Sequence, residues 1–165
     1  CKELVTVLFA KGIQNIAYLG SNMDQMVNRC RYQGYEEAYR KGKRKLNQDL
    51  VYTDLSSKAM VEKAVEELKK SGVECILCQD DYICDEVVRK LARMGVRIPD
   101  QMKVASCHYS RILENYPATI TSLKFNITEL GRRSCQVLLD MIHGKTVPDK
   151  TLLDYEIILK ESTKG

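Results

Sequence analysis

Apolar residues along the chain alternate between short unbroken runs and helical stripes, and that alternation predicts the architecture. Leu4, Val5, Leu8 and Phe9 repeat at helical spacing, and Gly12 supplies a C-terminal stop. Residues 15–19 (NIAYL) then read as a buried strand ending at Gly20-Ser21-Asn22. Arg31, Tyr35, Ala38 and Tyr39 share the next helical stripe, where Gly34 allows a neighbour to approach closely. Residues 50–52 make a second short strand. Asp54 and Ser56 are the candidate caps of a helix whose apolar stripe is Met60, Ala64, Val65 and Leu68, up to Gly72. Five of the six residues from 73 to 78 (VECILC) are apolar, too short a run for a free-standing helix, so they read as a central strand buried on both faces. Asp80 or Asp81 then caps a helix carrying Val87, Val88, Leu91 and Met94, stopped by Gly95.

Residues 103–107 (KVASC), 119–123 (TITSL) and 155–159 (YEIIL) complete the strands. Asn126 or Thr128 caps a last helix carrying Leu130, Val137, Leu138, Met141 and Ile142, which ends at Gly144. Strands alternating with helices of about a dozen residues mean βαβ units with right-handed crossovers. The expected fold is an α/β, doubly wound parallel sheet. In such sheets ligands bind outside the carboxyl ends of the strands. Ser21, Asn22, Asp54, Asp80, Asp81, His108 and Lys124 all fall there, an array suited to reversible recognition of a polar small molecule.

Composition narrows the chemistry. A chain of 165 residues that is 44% hydrophobic can bury one real core. The net charge of +4 comes from 26 basic and 22 acidic residues, too mixed to argue for a nucleic-acid surface. The densest basic run, Arg40, Lys41, Lys43, Arg44 and Lys45, reads as a solvated helix end rather than a phosphate site. Seven scattered cysteines fit reduced thiols used as small hydrophobes in a cytosol. Strand alternation points Cys75 and Cys78 to opposite faces, so no metal site is expected. GxGxxG and GxxxxGK[ST] are absent, Ser56 and Ser57 sit in no GxSxG elbow, and no nucleophilic constellation appears. Neither an enzyme nor a cofactor is expected. No signal peptide or membrane-spanning run is present. The first residue is cysteine, which suggests a piece of something longer.

With these pieces in order, the sequence resembles the effector-binding core of the lactose-repressor (LacI/GalR) family of transcription regulators, which shares its fold with periplasmic sugar-binding proteins. The matching residues are Gly12 with residues 15–20 (NIAYLG), residues 31–35 (RYQGY), Asp80-Asp81, residues 95–100 (GVRIPD), Thr121-Ser122-Leu123, Glu129-Leu130-Gly131, Ile142-His143-Gly144 and residues 160–163 (KEST). The match runs over nearly the whole chain and corresponds to the second half of such a regulator. It implies a periplasmic-binding-protein-like fold, with residues 1–123 as the C-terminal lobe and residues 124–165 as crossover elements at the interface with a second lobe. A helix-turn-helix headpiece and most of the first lobe would lie upstream of Cys1.

The resemblance also assigns roles. Arg31 matches the arginine that grips a sugar hydroxyl or an effector carboxylate, and Asp80 falls where the family has Asn or Asp facing the ligand. Leu55 stands where an aromatic side chain often stacks on the sugar, and Phe125 where a polar residue can reach the ligand. His108 replaces the family's usual aspartate after the fourth strand, which puts an ordinary neutral hexose in doubt and opens the way to an anionic effector such as a sugar phosphate. Cys84, Val88, Leu91, Ile112 and Leu113 are the implied dimer seam, with the core as their other possible place.

The expected protein is thus the effector-binding and dimerisation part of a cytoplasmic regulator, a repressor by type. It would take a sugar or sugar-derived molecule, and operator DNA only through the headpiece. The competing reading is a periplasmic or secreted sugar-binding receptor, which the seven thiols disfavour.

Overall fold

A computed structural model describes residues 1–164. Strand β3 (Cys75–Cys78) has all four residues buried and lies inside a six-stranded sheet. On one side it pairs in parallel with β1 (Ile16–Leu19), which pairs with β2 (Val51–Tyr52). On the other side β4 (Lys103–Ser106) and β5 (Thr121–Phe125) continue the parallel order. The last strand, β6 (Tyr155–Ile158), runs antiparallel to β5, a direction the apolar pattern does not encode.

Helices cover both faces. Helices α1 (Lys2–Ala10) and α2 (Met26–Lys41) pack Leu4, Leu8, Tyr35 and Tyr39 against Ile16, Tyr18, Cys75 and Leu77. Helices α3 (Lys58–Leu68) and α4 (Asp81–Arg93) pack Val61, Leu68, Val87 and Leu91 against Ala17, Leu19, Ile76 and Cys78. Cys75 and Cys78 therefore belong to opposite cores, as strand alternation requires. All seven cysteines are free thiols. At the α1–α2 contact, a Cβ on Gly34 would stand 3.0 Å from the Lys2 nitrogen, so only glycine permits this approach without a shift. The cap of α3 is Ser57, whose hydroxyl accepts from Met60 N, rather than Asp54 or Ser56.

Helix α5 (Ile127–Ile142) is capped by Asn126, whose side chain accepts from Glu129 N, and it buries none of its residues. After β6 the chain returns to the sheet in a 3-10 turn, Glu161–Thr163. There Ser162 Oγ accepts from Thr121 N at 2.9 Å and donates to Val104 O at 2.6 Å, while Thr119 N and Oγ1 both donate to Glu161 at 3.1 Å. The expected boundary after residue 123 falls inside β5, and residues 161–163 are fastened to β4 and β5. No helix of the described residues is long and apolar enough to cross a membrane.

Candidate functional site

The polar rim is built where β1, β3 and β4 stop. Beyond β1, Gly20 N donates to Tyr52 O at 2.7 Å and Leu55 N donates to Gly20 O at 3.0 Å. The following loop is fixed by two buried amides. Asn28 Nδ2 donates to Ser21 O and to Asn22 O, both at 3.0 Å. Gln79, fully buried one residue beyond β3, accepts from Ser21 N through Oε1 and donates to Ser21 O through Nε2, each at 3.2 Å. Tyr18 OH donates to the same Oε1 at 3.2 Å. Asn22 sits at φ 47°, a left-handed conformation that asparagine tolerates better than most residues.

Next to Gln79, Asp80 caps α4, its Oδ1 accepting from Ile83 N at 2.9 Å. Asp81 is turned inward, and its Oδ1 lies 3.2 Å from His108 Nδ1, with side-chain exposures of 8% for Asp81 and 29% for His108. Burial pushes the Asp81 carboxyl up, but the Ser110 hydroxyl and the His108 ring more than offset this and hold it below the usual carboxylate range. Ser110 Oγ is buried outside hydrogen-bond geometry and acts as a nearby dipole, so the His108 contact is the directional one. The His108 backbone is held in turn by Ser106, whose Oγ donates to His108 O at 2.8 Å and accepts from His108 N at 3.2 Å. Phe125 stacks on the imidazole, with ring centroids 6.1 Å apart and planes 26° from parallel.

Arg31 stands half-buried near the start of the α2 stripe. Glu37, an acid on the same helix, is engaged by Lys2, Arg40 and Lys41, and Arg31 makes no ion pair among the described residues. Its charge reaches two buried groups. Burial raises the Tyr18 phenol far above its ordinary range, Cys107 adds to this, Arg31 opposes it and Asp80 adds again. Burial also raises the Cys107 thiol, against the N-terminus and Arg31. Arg31 and Asp80 therefore act on the Tyr18 phenol in opposite directions.

The structure places Asp80 and His108 just past the ends of β3 and β4, Phe125 at the end of β5 and Arg31 on α2, and it puts the other expected residues elsewhere. Leu55 is a correction: it is 6% exposed and packed in the core with Leu50, Val61 and Ile83, so it offers a ligand no stacking surface. Cys84, Val88, Leu91 and Leu113 are likewise core, and of the five seam residues only Ile112 is exposed, at 38%. A volume of about 520 Å³ opens beside the rim, lined by Phe125, Lys124, Asn126, Tyr109, Asp154 and Tyr155. It lies along β5 and β6 rather than over Asp80, and Phe125 links the two regions. Among the described residues no cluster of acidic, histidine and cysteine side chains could hold a metal ion.

Gln79, Asn28 and Tyr18 escaped the sequence reading. Gln79 was visible only as the polar residue between strand and cap. Tyr18 was hidden in an apolar run, and a lone Asn in an amphipathic helix carries no periodic signal.

The structure is an open, mostly parallel sheet with polar groups gathered past the ends of its parallel strands. The chain belongs to the periplasmic binding protein-like domain family, whose model matches residues 5–163. It is 27% identical over 163 residues to the HTH-type transcriptional regulator GntR of Pseudomonas aeruginosa, covering 94% of this chain and 46% of that protein. To the HTH-type transcriptional regulator CelR of Thermobifida fusca it is 26% identical over 158 residues, covering 94% and 46%. Its fold superimposes on the transcription regulator CcpA of Lactococcus lactis with a TM-score of 0.89 at 23% identity, covering 99% of this chain and 60% of that one. A CelR–cellobiose complex gives 0.86 at 24% identity, covering 98% and 50%. The chain spans about half the length of the curated relatives it matches.

Proposed function

We propose that this chain is the effector-binding part of a LacI-type transcription regulator, a repressor by type, working in the cytoplasm. A sugar or sugar-derived effector binds between this lobe and a second one. The lobe arrangement that binds effector more tightly is thereby favoured, and a headpiece outside residues 1–165 gains or loses operator DNA. The observation that supports this reading is the polar rim past the ends of β1, β3 and β4, where Asp80 caps α4 and Asp81 meets His108, on a backbone fixed by Gln79 and Asn28; Arg31 is taken as its cationic member. The names of the relatives agree with it.

Two copies pair through the solvent side of α4 and the turn Arg111–Glu114, where Tyr82 and Ile112 are exposed, rather than through the four buried seam residues. The test is a calorimetric titration of the full-length protein with a panel of sugars and sugar phosphates. One ligand should bind, and Arg31→Ala should weaken it about 10- to 100-fold at unchanged fold, the worth of one charge-assisted hydrogen bond. Affinity unmoved by Arg31→Ala would reject the site.

A further inference from the structure

We propose that the groove between α1 and α2 is a docking site for an acidic segment of a partner protein, one that carries an apolar side chain among its carboxylates. The inference goes beyond the effector reading and uses none of the residues named for that site. The groove has a volume of about 360 Å³, and its lining combines apolar Phe9, Ala10 and Ala38 with the cations Lys2, Lys41 and Arg44. No carboxylate lines it. Apolar walls set among charges of one sign complement a ligand of opposite charge that also has an apolar group to bury.

The local backbone is bent to put Arg44 there. Lys43, just past the end of α2, takes φ 52°, a left-handed conformation that lysine seldom adopts. The turn lets Arg44 N donate to Tyr39 O at 2.9 Å. The Arg44 guanidinium then stands 4.4 Å from the centre of the Phe9 ring, and its Nη1 donates to Gln14. Phe9 is held edge-on by Tyr39, with ring centroids 5.0 Å apart and planes at 87°. A solvated helix end, the expectation for the whole basic run, describes the exposed Lys43 and Lys45 but not the half-buried Arg44 between them.

The charge around the groove is unbalanced. Lys2, Arg40 and Lys41 all reach the single carboxylate of Glu37, at 3.7, 3.9 and 3.3 Å. Lys43, Arg44 and Lys45 make no ion pair among the described residues. Solvent-exposed pairs at such distances hold little. Lys2 and Lys41 can therefore turn to a ligand's carboxylates, while Arg44 offers the guanidinium N–H groups that Gln14 leaves free. A peptide suits this lining better than a phosphate chain does, because phosphates bring charge but no apolar group to set against Phe9.

The test is fluorescence polarisation of the full-length protein with a fluorescein-labelled peptide of glutamates around a central phenylalanine. The peptide should bind, and more weakly as salt rises, because exposed charges are screened beyond about 10 Å at 0.1 M. Arg44→Gln should weaken it about tenfold, the worth of one charge-assisted hydrogen bond. Lys41 is 63% exposed, so Lys41→Gln tests the same groove without risk to the fold and should cost about threefold. Lys45→Gln, outside the groove, should change the affinity less than about twofold. An equal loss on Lys45→Gln would show a diffuse field rather than a groove. Equal binding of the peptide with glutamine in place of glutamate would remove the charge argument, and displacement by inorganic polyphosphate as readily as by unlabelled peptide would assign the groove to phosphates; either overturns the inference. So does no binding at all, whether the groove is covered by other residues of the full-length chain or by a second copy. The sugar-panel titration judges the effector reading separately from each of these outcomes.

Discussion

The side chain of Gln79 bonds both backbone groups of Ser21: its carbonyl accepts from Ser21 N and its amide donates to Ser21 O, each at 3.2 Å. The β1–β3 ladder pairs Leu19 with Cys78 and then ends, so a side-chain amide carries its pairing pattern past the last backbone pair. Gln79→Glu keeps the shape but places an oxygen against the Ser21 carbonyl. The expected cost is about 1–3 kcal/mol at neutral pH in urea unfolding. Wild-type stability for this variant would show that the amide donor does not hold the loop.

Gly20 marks the other side of the same contact. A Cβ there would stand 2.5 Å from Gln79 Oε1 and 2.7 Å from Tyr18 Cε1, both on buried side chains. Gly20→Ala is expected to destabilise by about 1–3 kcal/mol, as overpacking does. It should also weaken effector binding, because the displaced loop carries Ser21 and Asn22. An alanine variant with unchanged melting temperature and affinity would contradict the contact.

Ser162 ties β4 to β5, satisfying Thr121 N and Val104 O in a turn whose Ser162 and Thr163 are fully buried. Ser162→Ala leaves a buried donor and a buried acceptor unpaired, with an expected loss of roughly 2–4 kcal/mol. Hydrogen exchange at Thr121 should accelerate along with the fall in the urea midpoint.

Asp81 predicts a pH dependence. Its folded carboxyl lies below the ordinary value, so its stabilising contribution is fully present above the unfolded pKa and is lost as pH falls through the folded one. The stability difference between wild type and Asp81→Asn should therefore be largest near neutrality and narrow as the pH drops below about 4. A difference constant across that window would mean that the carboxylate's charge does not matter to the fold.

Much of the fold was legible in the sequence because burial leaves a periodic trace. The run from 73 to 78, the stripe through Tyr35 and Tyr39, and Asp80 as a cap each follow from one local rule, and the structure has them in those places. The proposed site was legible only as residues past a strand end or at a familial position, which is why Arg31, Asp80 and His108 are its candidates. Gln79 and Asn28 serve the site through loop backbone, which no periodicity reports. Leu55, Val88 and Leu113 lie in the core, the alternative already open for the two seam residues: resemblance assigns a position a role, but the side chain present decides whether it turns to ligand, partner or core. The antiparallel entry of β6 is a choice of tertiary pairing, and an apolar run reads the same in either direction.

Ser162 meets Val104 across 58 residues of sequence, so the bond can form only when almost all of this segment has been synthesised. On a translating ribosome β4 and β5 emerge first, and must wait with a carbonyl and an amide unfilled while α5 and β6 follow. Most folding of a nascent domain can proceed from its leading end. Here the sheet is sealed from its trailing end, and a chain stalled inside β6 would carry an unfinished edge exposed to chaperones and proteases.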